Sequence, residues 1–186
     1  MKNAYLEFFK IIPKEKFFQF GIENIISINQ DKAKREWDNL TRRIKNRENN
    51  LFVRSSGRNG AGNDILKQFY KDIFDININI DPTNNQKPRK LMNKLSGYEI
   101  NKNIQNYQTS HVFGRTKNVY CFVAPWNIVL IPKIIDPLTG HEAKGDFVDE
   151  FKILFRGSIY RKYRECIDEY NDLIEERNDT AIPGGP

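Results

Sequence analysis

Residues 107–145 read YQTSHVFGRTKNVYCFVAPWNIVLIPKIIDPLTGHEAKG, and this stretch decides the reading of the chain. It contains both histidines of the protein, His111 and His141. Tyr107 to Gly114 reads as an extended segment. Asn118 to Pro132 is rich in β-formers (Val119, Tyr120, Phe122, Val123, Ile128, Val129, Ile131), is interrupted at Ala124-Pro125, and carries Asn127 at the opening of its second half. Ile135 to Gly140 is a turn, and from about His141 the apolar spacing becomes helical through Phe147, Val148, Phe151, Leu154 and Phe155. The order is strand with His, strand with Asn, helix with His. That set suits phosphodiester hydrolysis. A neutral imidazole can take a proton from water near neutral pH. A divalent cation, held by a second imidazole on the first turn of a helix, can offset charge on the phosphate and the leaving oxygen. An Asn between them can hold the hairpin closed or orient the base.

Working outward, the 186-residue chain has the size of one domain with a mixed pattern of helices and short strands, so an α+β fold is expected. No run approaches the ~18 apolar residues of a spanning helix, and Met1 to Lys10 lacks the apolar region of a signal peptide. A soluble cytoplasmic protein with no membrane partner is expected. Cys121 and Cys166 cannot build a paired Cys-x-x-Cys zinc frame and are read as buried thiols. The net charge of +6 is the electrostatic footprint of a nucleic-acid binder. Its distribution is uneven. Residues 31–58 carry nine basic side chains against four acidic, and residues 85–117 carry seven against Glu99 alone, whereas residues 160–179 carry seven acidic against Arg161, Lys162, Arg164 and Arg177. A polyanion would therefore be held by the first two-thirds of the chain.

Tyr5 to Ile12 is helical in pattern and ends at Pro13. Asp31 to Arg47 reads as a basic amphipathic helix burying Trp37, Leu40 and Ile44, with Trp37 and Trp126 in the core rather than stacking on bases. Ser55 to Asn63 is a loop. The next helix is expected to be capped by Asn63 or Asp64 and to bury Ile65, Phe69 and Ile73. Ile76 to Ile80 is a short strand, and Asp81 to Arg89 a Pro- and Asn-rich connector. A last, acidic helix is expected from about Ser158 to Arg177, followed by a disordered tail from Ala181 to Pro186.

The 107–145 window resembles the HNH, or ββα-metal, nuclease motif, and the small basic chain around it is similar to HNH-type restriction endonucleases. His111 stands as the first His, Asn127 as the central Asn and His141 as the final His, at intervals of 16 and 14 residues. The second interval is longer than in compact members, with residues 133–140 as the insertion. Asn127-Ile-Val-Leu-Ile-Pro132 resembles the family's Asn-Leu-x-x-Leu segment. The resemblance covers about 40 of the 186 residues. It implies a hairpin-plus-helix core at residues 91–157, surrounded by additional helices. A mainly helical DNA-contacting region would occupy residues 1–90 and a C-terminal helix residues 158–180.

By the same resemblance, His111 is the general base, Asn127 the positioning residue and His141 a metal ligand. Ser110 occupies the position where many members place a further ligand. Gly145 stands where many carry another, so the site would recruit Glu142, Asp136 or Asp146. That thin ligand set favours Mg²⁺ or Mn²⁺ over Zn²⁺. Arg115 and Lys117 would meet phosphates beside the scissile bond, and Arg54, Arg58 and Asn59 would enter a groove. The expected activity is metal-dependent cleavage of double-stranded DNA, of the sequence-specific type II restriction kind, by a homodimer, since cutting a palindrome needs two sites related by a two-fold axis. Two alternatives stand beside it: a non-catalytic DNA- or RNA-binding module, and a nonspecific nuclease or RNase.

Overall fold

The computed structural model describes residues 2–140 and 142–181, with side chains as far as residue 175. The fold is α+β. Two N-terminal helices, α1 (Ala4–Phe9) and α2 (Lys14–Glu23), flank Pro13 and pack a ring cluster of Phe8, Phe9, Phe17 and Phe18 against Phe147 and Phe151. The long amphipathic helix α3 (Gln30–Lys45) follows, buried through Ala33, Trp37, Leu40 and Ile44. Asn29 caps it by accepting from the backbone amides of Asp31 and Lys32. Trp37 meets Trp126 edge-to-face at the centre of the molecule and donates its indole N–H to Glu169 at 2.8 Å.

Strands β1 (Leu51–Val53) and β2 (Ile78–Ile80) form a two-stranded parallel sheet, connected through helix α4 (Asn63–Phe74). Helix α4 presents a different face from the one its spacing suggested. Ile65, Phe69 and Ile73 are 76%, 49% and 57% exposed, while Tyr70 is buried and Leu66 and Phe74 pack against the core. The two stripes have the same period, so spacing alone does not choose between them. The Tyr70 hydroxyl supplies the reason. It donates to the Lys117 carbonyl and accepts from the Val119 amide, which ties α4 to the loop after His111. Asn63 does not cap α4. Its side-chain oxygen instead accepts from Ser55 Oγ and the Ser56 amide and closes the preceding loop.

The segment read as a connector contains helix α5 (Gln86–Ser96). Pro88 sits in its first turn, where an amide has no intrahelical partner to lose. Asp81, buried at 2% exposure, accepts from the amides of Thr83, Gln86 and Lys87 and anchors the start of α5.

The antiparallel hairpin β3 (Tyr107–His111) and β4 (Ile128–Pro132) pairs His111 with Ile128 and Tyr107 with Pro132. Every residue of β4 is buried, and Ile26 bridges Leu130 on the strand's other edge. Residues 118–127, read as the start of that strand, are turns instead, and their β-formers Val119, Tyr120 and Phe122 fill the core. A single 3₁₀ turn at Asp136–Leu138 leads to α6 (Asp146–Ala181). One helix therefore runs where two were expected, bent at Tyr163, whose hydroxyl donates to the Ile28 carbonyl. The tail beyond Ala181 and His141 lie outside the described residues. Both cysteines are buried and free, as expected.

Replacing Asp81 with Ala removes the acceptor of three part-buried amides at the entrance of α5. The expected loss is about 2 kcal/mol in urea unfolding, and an unchanged midpoint would show that the cap contributes nothing.

Candidate functional site

His111 ends β3 and lines a cavity of about 330 Å³. Its Nε2 lies 2.9 Å from the Phe122 carbonyl, and its ring stacks on that of Phe122. A carbonyl oxygen only accepts, so Nε2 carries the proton and Nδ1 is left bare. Burial holds the imidazole below its ordinary pKa, with the guanidinium of Arg54 acting in the same direction and the Phe122 bond opposing. The ring is thus a neutral, oriented base with an open lone pair.

Asn127 lies at the turn that precedes β4. It is fully buried, and its amide nitrogen donates to the carbonyls of Gly114 and Cys121 at 3.0 and 2.9 Å. Its side-chain oxygen accepts from the Phe113 amide at 2.8 Å, and its backbone carbonyl from Val112. One side chain therefore ties both limbs of the loop that joins the two strands, the second at Cys121, next to the Phe122 carbonyl that meets His111. Helix α6 braces the same place. Arg156 Nε donates to the Val112 carbonyl at 3.3 Å.

The other walls of the cavity bring opposite charges together. Arg54, Lys152 and Arg156 supply positive charge, and Asp136 and Glu142 supply carboxylates. Asp136 is raised above the usual carboxylate range by burial and by the neighbouring charge of Glu142, although Gln108 and Thr139 bond to it. Among the described residues no three of His, Cys, Asp and Glu converge on one point. Two buried polar atoms without a partner, Thr109 Oγ1 and Asn85 Oδ1, belong to residues that line this cavity.

Of the residues singled out from sequence, His111, Ser110 and Arg54 line this cavity, and Asn127 supports it from beneath. Gly140 and Glu142, on either side of the undescribed His141, line it as well. Arg58 and Asn59 sit in an exposed 3₁₀ turn and are not among the lining residues. Arg115 turns toward α6 and donates to the Tyr170 hydroxyl at 3.2 Å, so it braces the loop rather than facing the cavity. Lys117 is exposed, and its carbonyl is taken by Tyr70. Lys152 and Arg156 escaped the sequence reading. Their signal is a basic i, i+4 pair on the helix that follows the hairpin.

The comparisons with known proteins bear on the same region. The family described as Uncharacterised protein PM1201 matches residues 28–182. The chain belongs to that family. It is 49% identical over 177 residues to the Uncharacterized protein PM1201 of Pasteurella multocida (strain Pm70), a match covering 94% of this chain and 80% of the relative. No solved structure matches the chain. The matched span holds α3 to α6 and every described wall of the cavity, and leaves out α1 and α2.

Two outcomes follow from this geometry. Asn127→Asp removes both N–H donors and sets a carboxylate against two carbonyls, so unfolding free energy should drop by about 3 kcal/mol or more. A value within about 0.5 kcal/mol of wild type would contradict the bracing role. The second concerns pH. The folded His111 binds a proton less readily than the unfolded chain, whose imidazole titrates near ~6.5. Its contribution to stability is full at higher pH and is lost as pH falls through about 6.5 toward the folded value. Urea midpoints at about pH 7.5 and about pH 5.5 should differ less in His111→Gln than in wild type, and an equal difference would rule the linkage out.

Proposed function

We propose that this protein is an HNH-type endonuclease that hydrolyses phosphodiester bonds of double-stranded DNA, with His111 as the general base. The reading is carried by one observation: an imidazole at the end of the first strand of a hairpin, tethered through Nε2 to Phe122, with its bare Nδ1 on a residue that lines a cavity with three cationic side chains. The fully buried Asn127 and the hairpin-then-helix order of β3, β4 and α6 support the same reading.

The chemistry runs on this chain's own groups. Nδ1 of His111 accepts a proton from water, and the resulting hydroxide attacks phosphorus. The leaving oxygen departs as the P–O bond breaks. Arg54, Lys152 and Arg156 hold the phosphate and offset its charge. The depressed pKa keeps the base unprotonated at neutral pH, and the Phe122 carbonyl steadies the imidazolium that forms. Asp136 and Glu142 are the described residues that would hold a cation. Two carboxylates with waters and substrate oxygens suit Mg²⁺ or Mn²⁺, whereas catalytic Zn²⁺ sites take three protein ligands. Such a cation would supply Lewis-acid charge to the reaction.

The proposed biological form is a sequence-specific restriction enzyme acting as a homodimer, each chain supplying one site for one strand. Plasmid digestion with Mg²⁺ or Mn²⁺ tests the reading. Wild type should give discrete fragments, and His111→Ala should cut at least ~100-fold more slowly while binding DNA about as well in EDTA. A variant that cuts at the wild-type rate would remove His111 from the chemistry. Salt-sensitive binding with no cleavage in any metal would favour a non-catalytic binding module, and a smear a nonspecific nuclease.

A further inference from the structure

Beside the His111 cavity lies a second depression, of about 300 Å³, whose walls come from α3, β1 and α5. Its most distinctive wall is a row of lysines. Lys87, Lys90 and Lys94 fall at i, i+3 and i+7 on α5 and share one face of the helix, opposite the buried Pro88 and Met92. Among the described residues none of the three has a carboxylate within ion-pair distance. Phe52 contributes an apolar wall, with the Lys87 ammonium 3.9 Å from its ring centre. Arg43 contributes a further cation, held in place by Asn50 and by Glu48 at 3.5 Å. Glu36 is the acidic group on the same lining.

The two depressions are neighbours along the chain in two places. Phe52 lines the lysine groove and Arg54 the His111 cavity. Phe52 lies in β1 and Arg54 just past its end, two residues apart in the chain. Asn85 lines the cavity and Lys87 the groove, again two residues apart at the start of α5. The lysine row itself spans about 10 Å of helix, so its charges are spread along a line rather than gathered at one point. A single small anion would call for a converging cluster. A row of unpaired ammonium groups leading from a candidate hydrolytic cavity fits a repeating one.

We infer that the α5 lysine row is a phosphate track, which holds the backbone of duplex DNA on the side of the strand that enters the His111 cavity. The assignment of the strand's direction rests on the nuclease reading above; the binding of the backbone does not. The track carries no sequence information, because ammonium groups on phosphates position the duplex without reading bases.

The test uses the full chain and a labelled duplex of about 30 base pairs in EDTA, with affinity measured by fluorescence anisotropy across a salt series. The triple variant Lys87→Gln, Lys90→Gln, Lys94→Gln should flatten the plot of log affinity against log salt by roughly 2.5 and weaken binding more than ~10-fold at physiological salt. A matched control, Lys2→Gln, Lys10→Gln, Lys16→Gln, removes three exposed lysines of the N-terminal segment and should leave the slope unchanged. The Lys→Arg triple at positions 87, 90 and 94 should keep the wild-type slope; a loss there too would mean that packing was disturbed, and would overturn the track. So would an unchanged slope in the Gln triple, or equal losses in the control. If wild type cuts and the Gln triple binds and cuts as well as it does, the groove fails and the His111 reading stands. If binding depends on the three lysines but no metal elicits cleavage, the track stands and the nuclease reading fails.

Discussion

A buried carboxamide holds this site in shape. Asn127 makes three side-chain hydrogen bonds, using both of its N–H donors and its oxygen, to the backbone of the loop between residues 112 and 122. A long loop without regular structure carries many polar backbone groups that must find partners when buried. Here one amide side chain supplies three of those bonds at once. The arrangement fixes where the chain turns after His111 and brings the Phe122 carbonyl back to the imidazole. The tautomer and the orientation of His111 depend on that return, while burial and the nearby Arg54 lower its basicity against the Phe122 bond.

Other elements converge on the same loop. The Tyr70 hydroxyl joins it to α4, and Arg156 joins it to α6. The Trp37–Trp126 contact fixes α3 beneath it, with Tyr170 of α6 packed against both indoles. A surface cavity is therefore built on side chains that the core immobilises. Rigid support of this kind is what a positioned base and a set of charged groups require.

Much of this was legible from the residues. The amphipathic spacing of Trp37, Leu40 and Ile44 identified α3 and its buried face, and the α+β class followed from the mixed pattern. Asn127 and His111 were picked out by residue type and order. What periodicity could not decide is instructive. On α4 two stripes, Ile65-Phe69-Ile73 and Leu66-Tyr70-Phe74, are equally spaced, and the choice between them was made by a tyrosine hydroxyl bonded to a distant loop. Helix α5 was hidden by Pro88, which reads as a breaker but is tolerated in a first turn anchored by Asp81. The β-formers of residues 119–122 lie in the core as turns, since Tyr70, Asn118 and Asn127 together supply hydrogen bonds that a strand partner would have given. Lys152 and Arg156 reach the cavity through the tertiary placement of α6, which no local pattern encodes.

The proposed hydrolysis depends on one atom, the unprotonated Nδ1 of His111. The chain has only two histidines, so ¹⁵N NMR of histidine-labelled protein resolves it directly. With His111→Gln used to assign the signals, the His111 ring should show a proton on Nε2 and none on Nδ1 at neutral pH, and its Nδ1 resonance should shift when duplex DNA is added in EDTA. A proton on Nδ1, or a ring whose signals are indifferent to DNA that the protein binds, would contradict the account.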